Sequence, residues 1–487
     1  MQMIKAVCLS VGLAVAVTAS GAAAGELPAT DQAAIQSFVD ADARQLADTA
    51  QRIWQWAEVG YQENQSSALL QARLKAAGFT VEPGVAGMPT AFVARYRRGS
   101  GGPVIGLLAE YDALPGLAQA ATAEHAPIAG QSAGHACGHN MFGAASVSAA
   151  IAVKKWMDAN KVDGELRLYG APAEEGGSGK VYLVRAGLFN DVDTAIHWHP
   201  GDDNSASQSR SLANISGKFR FKGVSAHAAA APWRGLSALD AVEVMNTAVN
   251  MLREHVPDGT RIHYVITDGG KAPNVVPDFA EAYYYVRHVD PQVVKDVMAR
   301  VQKAAEGAAL ATGTSFSFEA TGGVYSMLPN ATLAKVMDRN LRAVKWQPFT
   351  PAEQAFAAGI QKTLTTRKTL TSATEVQPMR IGENGGGSTD VADISWTVPT
   401  VGLSTAVYVP GTPGHSWQAV AASGSTYGAK GGVVAAKTLA LTTAELFRSP
   451  EVLAAAKAEF QAKRGADFQY QAMVGDRQPP LDYRKAP

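Results

Sequence analysis

The stretch Gly134-His135-Ala136-Cys137-Gly138-His139-Asn140 anchors the interpretation of the whole sequence, because it places a thiol and two imidazoles within five positions. Cys137 and His139 can reach one metal ion, or two adjacent ions, without straining the backbone, since a glycine separates them. The alternative is a buried cysteine beside two surface histidines, because a match of three residues arises often by chance. The rest of the chain has to decide between these two interpretations.

An alanine-rich segment follows directly and predicts a long helix over residues 141–157, so Cys137 and His139 are expected in the loop that leads into it. Further helices are predicted within 30–78 and at 180–186 and 331–343, and strands at 92–96, 104–109, 165–170, 193–196 and 399–403. This order predicts an α/β catalytic domain with a central mixed sheet, built from residues 25–212 and 323–487.

Polar side chains that can bind metal or move protons follow several of these predicted strands. They are Glu110 and Asp112, Glu174 and Glu175, His197 and His199, and His415. Ligands of open α/β sheets collect at the carboxyl ends of strands, so this coincidence predicts a site at that edge of the sheet.

Residues 213–322 have a different character and predict strand, helix, strand, strand, helix and strand in that order. This is the order of a small ferredoxin-like α+β unit. We therefore expect an inserted domain that interrupts the catalytic domain.

Composition favours a globular enzyme over a nucleic-acid or lipid-binding protein. The 487 residues are 47% hydrophobic and 18% charged, and 43 basic residues balance 43 acidic ones. No long basic run attracts nucleic acid or an anionic membrane. A small-molecule substrate is expected.

The first residues read as an export signal over residues 1–24. Lys5 is followed by an almost wholly apolar run from 7 to 17, and Ala22-Ala23-Ala24 offers a cleavage site. The run is short for a membrane-spanning helix of roughly 20 residues, although an uncleaved anchor is the alternative. We expect a periplasmic or secreted protein that has no membrane attachment after cleavage. Cys137 is then its one remaining cysteine, and metal ligation would protect this thiol from oxidation.

The metal donors expected at the strand ends are Cys137, His139, Glu175, one of His197 and His199, and His415. Five donors are too many for one tetrahedral zinc but suit two metals about 3.5–4 Å apart. Neighbouring residues of an extended segment point in opposite directions, so one of Glu174 and Glu175 can bind metal while the other acts as general base.

Five segments together resemble the aminoacylase and glutamate carboxypeptidase superfamily of dinuclear metallopeptidases, and most of all its amidohydrolase branch that contains aminobenzoyl-glutamate hydrolase. They are His135-Ala-Cys-Gly-His139-Asn, Pro172-Ala-Glu-Glu-Gly-Gly, Gly223-Val-Ser-Ala-His227-Ala-Ala, Ala272-Pro-Asn-Val-Val-Pro277 and Gly411-Thr-Pro-Gly-His415-Ser-Trp417. The resemblance implies a zinc-peptidase-like catalytic domain with two Zn or Mn ions, and an inserted domain that forms a homodimer.

The same resemblance assigns roles around the metals. Glu174 matches the general base, Glu175 matches a ligand, and Asp112 matches an acidic residue that orients the site. His199 is favoured over His197 as the ligand, because the Trp-His-Pro context fits the branch. The chain departs from the wider pattern at Glu110, where many relatives carry a metal-binding histidine, so that role is expected to pass to His139.

Substrate contacts are expected from the inserted domain. The resemblance implies that His227 reaches the cleft of a neighbouring subunit and stabilises the oxyanion there. Asn274 and Arg287 are the candidates for binding a substrate carboxylate. Trp198 and Trp417 flank the expected ligands, so they form either an aromatic platform beside the metals or part of the core.

The expected function is metal-dependent hydrolysis of the amide in an N-acyl amino acid with an aromatic acyl group, such as aminobenzoyl-glutamate. A broader aminoacylase, carboxypeptidase or dipeptidase of the superfamily is the alternative. A cysteine amidase would use Cys137 and His139 but leaves Glu174, Glu175 and His415 without roles. A non-catalytic periplasmic binding protein would need the base to be missing, and Glu174 is present.

Overall fold

The computed structural model of the protein describes residues 26–485, so the predicted export signal at 1–24 lies outside the described residues. The helices are α1 (Ala29–Trp56), α2 (Asn64–Ala76), α3 (His139–Asn160), α4 (Glu174–Gly177), α5 (Gly179–Arg185), α6 (Ala238–Leu252), α7 (Pro291–Thr312), α8 (Ala331–Ala343), α9 (Pro351–Lys362), α10 (Val391–Ser395), α11 (Trp417–Ser423), α12 (Thr426–Arg448) and α13 (Pro450–Arg464). The strands are β1 (Thr80–Pro83), β2 (Phe92–Arg98), β3 (Val104–Ala109), β4 (Leu114–Pro115), β5 (Ala133–Gly134), β6 (Gly164–Gly170), β7 (Thr194–Ile196), β8 (His199–Gly201), β9 (Gln208–Arg210), β10 (Ala213–Lys222), β11 (Arg261–Asp268), β12 (Phe279–His288), β13 (Ser315–Val324), β14 (Ile381–Asn384), β15 (Thr400–Val401) and β16 (Ser404–Ala406).

The catalytic domain is built on a six-stranded sheet in the order β1-β2-β6-β3-β7-β15. Strands β6, β3, β7 and β15 run parallel to one another, whereas β1 and β2 join antiparallel at one edge. This arrangement confirms the predicted α/β class with a central mixed sheet. It also brings the carboxyl ends of the parallel strands to one side.

Strand β3 lies at the centre because every residue of it is apolar and buried. Its side chains alternate between the two faces of the sheet, as the pleat requires. Ile105 and Leu107 pack into the core that α1, α3 and α12 cover, while Val104 and Leu108 pack into the core on the side of α5 and α10. The domain therefore has a helix layer on each face of the sheet.

Helix α3 passes through the middle of one helix layer and starts earlier than predicted. Gly138 precedes it with φ 70°, and the first helical residue is His139. His139 therefore lies on the first turn of the helix, and the prediction that placed it in the preceding loop is wrong. Small residues such as Ala145 and Ala149 are fully buried, which lets α1 and α12 approach the helix closely.

The inserted domain carries β10 to β13 as an antiparallel sheet in the order β11-β12-β10-β13, with α6 and α7 packed against it. This is the predicted ferredoxin-like arrangement. Its sheet extends from Ala213 to Val324, and the predicted domain boundaries at 213 and 322 stay predictions. In the part of the chain that the structure describes, no helix combines the length and apolar character needed to cross a membrane.

Candidate functional site

The candidate site lies where the parallel strands end. Residues after β3 supply Glu110 and Asp112, the turn after β6 supplies Glu174 and Glu175, and β8 supplies His199 after β7. The first turn of α3 brings His139 to the same place. A Cβ at position 138 would meet the ring of Pro200 at 2.7 Å, so only glycine permits this tight approach of α3 to β8.

The first donor group contains Cys137, His139 and His199, whose donor atoms lie within 4.8 Å of one another. Sγ of Cys137 is 3.3 Å from Nε2 of His199. Nδ1 of His199 lies 2.8 Å from the carbonyl oxygen of Pro200, and a carbonyl only accepts, so the ring proton is on Nδ1. Nε2 therefore presents a lone pair to the group, as a ligating histidine does.

Asp112 holds two parts of the site. Its Oδ1 lies 2.8 Å from Nδ1 of His139, and its Oδ2 accepts a hydrogen bond of 2.9 Å from the backbone N–H of Glu175. The carboxylate orients the His139 ring so that Nε2 faces the donors, which is a common support for metal-binding histidines.

The second donor group contains Cys137, Glu175 and His415, again within 4.8 Å. Oε1 of Glu175 lies 3.3 Å from Nε2 of His415. His415 is on an exposed loop with φ 57°, and its backbone N–H donates to the carbonyl oxygen of Ala136, which fixes it next to Cys137. Because Cys137 belongs to both groups, the five predicted donors converge as two adjacent sets.

Several of these atoms are buried without partners. Among the described residues, Nε2 of His139, Oε1 of Glu175 and Oε2 of Glu110 make no hydrogen bond, although 3.0 Å separates the first from the last. Buried polar atoms are normally satisfied, so unpartnered atoms that converge require an explanation such as an ion. A thiol, imidazoles and a carboxylate are the donors that zinc takes, and the residues fit divalent metals.

Glu174 and Glu175 lie in a tight turn, and the prediction of an extended segment is wrong. Ala173 and Ser178 bound the turn with φ 56° and 58°, a left-handed conformation that the sequence does not indicate. The two carboxylates still diverge, because Glu174 joins a third donor group with Glu110 and His139. Burial, with the charges of Glu110 and Glu175 nearby, raises the pKa of Glu174 well above its usual range.

A buried ion pair network that the sequence did not indicate lies under the donors. Nζ of Lys180 is 2.7 Å from Oε1 of Glu110 and 2.6 Å from Oδ1 of Asp390, and all three side chains are almost completely buried. Lys180 therefore compensates the charge of Glu110, the residue that stands where many relatives carry a histidine. Lys180 and Asp390 are 210 positions apart, and no local pattern marks either of them.

His197 lies outside the donors. Its ring packs against Gly402, where an added Cβ would collide with Nε2. Burial lowers the pKa of His197 to about 4, so the ring is neutral. Of the donor groups found among residues 26–485, none includes His197, so the structure brings His199 to the site instead.

A cleft of about 790 Å³ opens above the donors, between the catalytic and inserted domains. Cys137, Glu174, Glu175, His199 and His415 form its floor, and Arg210, Asn214, Tyr285, Arg287 and Ser388 contribute to its walls. Arg287 is 5.2 Å from the ring centroid of Tyr285 and donates to Oγ of Ser388. Within the described chain its Nε has no partner, so the guanidinium has a free donor.

His227 and Asn274 do not line this cleft. Both are exposed on the inserted domain, where His227 pairs with Val275 and the N–H of Ala228 donates to the carbonyl of Asn274 at 3.0 Å. The structure therefore brings these two predicted site residues to each other, but not to the metal donors of the same chain.

Trp198 and Trp417 form no platform in the cleft. Trp198 is 0% exposed and donates from Nε1 to the carbonyl of Phe142, so it is a core residue. Trp417 is half-buried at the start of α11, where its ring lies 5.5 Å from that of His125. Tyr285 is the aromatic residue of the cleft wall, and its position on β12 gave no sequence signal for this role.

Comparisons with known proteins match this architecture. A family model described as the M20 peptidase dimerisation domain matches residues 213–312. One of the subunits of p-aminobenzoyl-glutamate hydrolase from Escherichia coli (strain K12) is 40% identical over 454 residues, which cover 88% of this chain and 94% of that protein. Xaa-Arg dipeptidase of Mus musculus is 29% identical over 439 residues, which cover 87% of this chain and 91% of that protein.

A crystal structure with the same fold is that of a dinuclear metal-binding peptidase of the M20 family from Bacillus subtilis. It superposes with a TM-score of 0.52 at 19% identity and covers 82% of this chain and 99% of its own. The resemblance that the five sequence segments predicted is thereby confirmed. Since identity of 40% extends over nearly the whole of both proteins, this chain belongs to the M20 family of peptidases and amidohydrolases and is a hydrolase.

Proposed function

We propose that the protein is a dinuclear metal-dependent amidohydrolase that cleaves N-acyl amino acids with an aromatic acyl group, such as aminobenzoyl-glutamate. The observation that carries the proposal is the pair of donor groups that share Cys137 at the floor of a cleft with Arg287 in its wall. The 40% identical relative is named for hydrolysis of p-aminobenzoyl-glutamate, which supports this substrate class.

Five residues would hold two divalent ions, Zn or Mn. They are Cys137, His139, Glu175, His199 and His415. Bound ions would polarise the amide carbonyl and acidify the attacking water.

Glu174 is the proposed general base. It takes the proton of the attacking water and passes it to the nitrogen of the leaving amine, so one carboxylate serves both halves of the reaction. Its pKa, raised by burial and by neighbouring carboxylates, suits proton transfer near neutral pH. Asp112 positions both His139 and the backbone of Glu175 for this chemistry.

Arg287 and Tyr285 are proposed to bind the substrate. The guanidinium has a free donor toward the cleft and matches the carboxylate of the leaving amino acid. An aromatic acyl group would pack against the ring of Tyr285. Asn274 is proposed as a further carboxylate contact and His227 as the oxyanion donor, both supplied by a second subunit.

A homodimer through the inserted domain is the proposed assembly, because its family is a dimerisation domain and because His227 and Asn274 lie outside their own cleft. The Escherichia coli relative is named as one of several subunits of its enzyme, so a related but different chain is the alternative partner. Either partner would complete the cleft in the same way.

Dipeptide hydrolysis is the second candidate, and the mouse relative named Xaa-Arg dipeptidase favours it. The cysteine amidase has less support, because burial raises the pKa of the Cys137 thiol and a nucleophilic cysteine needs the opposite shift.

A metal analysis combined with a substrate panel tests the proposal. Protein purified without chelator should hold close to two metal ions per chain, and chelation rather than thiol reagents should abolish turnover. Aromatic acyl-amino acids should be hydrolysed at least about tenfold faster than acetyl-amino acids, a difference of about 1.4 kcal/mol in transition-state binding. Activity that survives chelation, or a preference for Xaa-Arg dipeptides, would contradict it.

A further inference from the structure

The chain after α13, residues 465–485, forms a C-terminal tail that returns to the active site. Arg185 of α5 donates to the carbonyl oxygens of Gly475 and Arg477 at 2.8 and 2.7 Å. Arg477 in turn donates to the carbonyl oxygen of Thr321 on β13. The tail is thus attached both to the catalytic domain and to the inserted domain before it reaches the site.

The end of the tail binds the backbone of Glu175. Oη of Tyr483 donates to the carbonyl oxygen of Glu175 at 2.9 Å, and Nη2 of Arg484 donates to the same oxygen at 3.0 Å. A carbonyl oxygen has two lone pairs, and these two donors use both of them.

The peptide groups on both sides of Glu175 are therefore held. Its N–H donates to Asp112, which also contacts His139, and its C=O accepts from the tail. The turn around it has left-handed residues at Ala173 and Ser178. Such a conformation persists only where the surrounding structure fixes it, and the tail supplies one side of that support.

The tail is docked closely at this point. The ring of Tyr483 packs edge-on against Tyr61 at 5.7 Å between centroids, and Oη of Tyr61 donates to the carbonyl oxygen of Gly177 in the same turn. Gln62 donates to the carbonyl oxygen of Leu481 at 2.8 Å. Gly60 leaves the space that the Tyr483 hydroxyl fills, since a Cβ there would collide with it.

We propose that Tyr483 and Arg484 are positioning residues that hold the Glu174–Glu175 turn in its active conformation. They contact the backbone of Glu175 and not the reacting atoms, so they act through the direction of the two carboxylates. This inference rests on the proposed function for the roles of Glu174 and Glu175. It assigns to the tail a part in catalysis although the tail lies more than 300 positions away in the sequence.

The double variant Tyr483→Phe/Arg484→Met tests the proposal, because it removes both donors and keeps the ring that packs on Tyr61. We expect kcat to fall about tenfold with KM within about twofold, since small displacements of reacting groups cost rate more than binding. The bound metal should be lost to a mild chelator about tenfold faster, and amide exchange in the 173–178 turn should be faster. Tyr483→Phe/Arg484→Lys restores a donor and should recover most of the kcat.

Lys485→Met is the matched control, because Lys485 is exposed on the same tail and pairs only with exposed Asp482 among the described residues. It should leave kcat, metal retention and exchange unchanged. Wild-type values for all three in the double variant would overturn the proposal, and so would a general loss of thermal stability that Arg484→Lys does not reverse. A wild-type protein without metal or amide turnover would refute the proposed function instead, while the exchange measurement still tests the tail.

Discussion

Single residues in this site have roles set by partners far away in the chain. Glu174 and Glu175 are adjacent, yet one faces Glu110 and His139 while the other faces Cys137 and His415. Backbone hydrogen bonds from Asp112 and from the C-terminal tail produce this divergence. Substituting either glutamate by its neutral isostere should therefore separate two different functions.

Glu174→Gln should retain metal and fold but lose about 10²–10⁴-fold in kcat, because it removes the general base. Glu175→Gln should instead lower the affinity for metal. Metal analysis after gel filtration, together with turnover, distinguishes the two. Glu451→Gln, an exposed substitution on α13, is the control and should change neither quantity. The opposite pattern in the two variants would reverse the assignment of base and ligand.

The predicted donors were readable because Cys137, His139, Glu175 and His415 occur in short motifs at the ends of apolar strands. Lys180, Asp390 and Tyr483 were not readable, because a buried ion pair or a hydrogen bond across the fold leaves no periodicity in the sequence. The same reason explains Trp198, whose position beside a ligand gave no information on whether its ring faces the cleft or the core.

At the scale of elements, apolar periodicity located the strands and helices better than their ends. The strand predicted over residues 399–403 has only Thr400–Val401 in the sheet, and α3 extends from His139 to Asn160 instead of 141–157. Ends depend on single backbone angles, and several of these angles are unusual. Lys161, which follows α3, has φ 54° although it is not glycine.

Lys161→Gly should stabilise the protein by about 0.5–1 kcal/mol, because an exposed non-glycine residue in the left-handed conformation is strained and glycine is not. Chemical denaturation measures the change in the free energy of unfolding. Lys161→Ala removes the same side chain but keeps the strain, so it should give no gain. Equal stability of both variants would show that α3 ends without strain.

For the whole molecule, the distribution of apolar surface is uneven. The large apolar side chains that are exposed in the described chain lie between residues 224 and 310, in the inserted domain. Val265 and Ile266 are on β11, which is the edge strand of its sheet, and Val244 and Met251 are on the neighbouring α6. An unpaired edge with apolar neighbours is a surface for association.

Val265→Lys should convert the dimer to a monomer in sedimentation, because it places a charge at the edge strand. Metal should remain bound, whereas turnover should fall about 10²-fold or more if His227 of a second subunit supplies the oxyanion donor. Leu310→Lys changes an exposed apolar residue of α7 and should leave the dimer intact. A wild-type protein that sediments as an active monomer would contradict the proposal. Export to the periplasm or beyond stays a prediction from residues 1–24.

The attachment of the inserted domain has a mechanical consequence. The chain enters this domain at β10 and leaves it at β13, where Asn214 and Val324 are paired neighbours. Two crossings side by side act as a hinge with one axis, about which the cleft would open and close. The contact of Arg477 with Thr321 adds a third mounting point that belongs to the tail. Rotation about the hinge must therefore carry the tail along or detach it, so the width of the cleft and the grip on Glu175 are geared to each other.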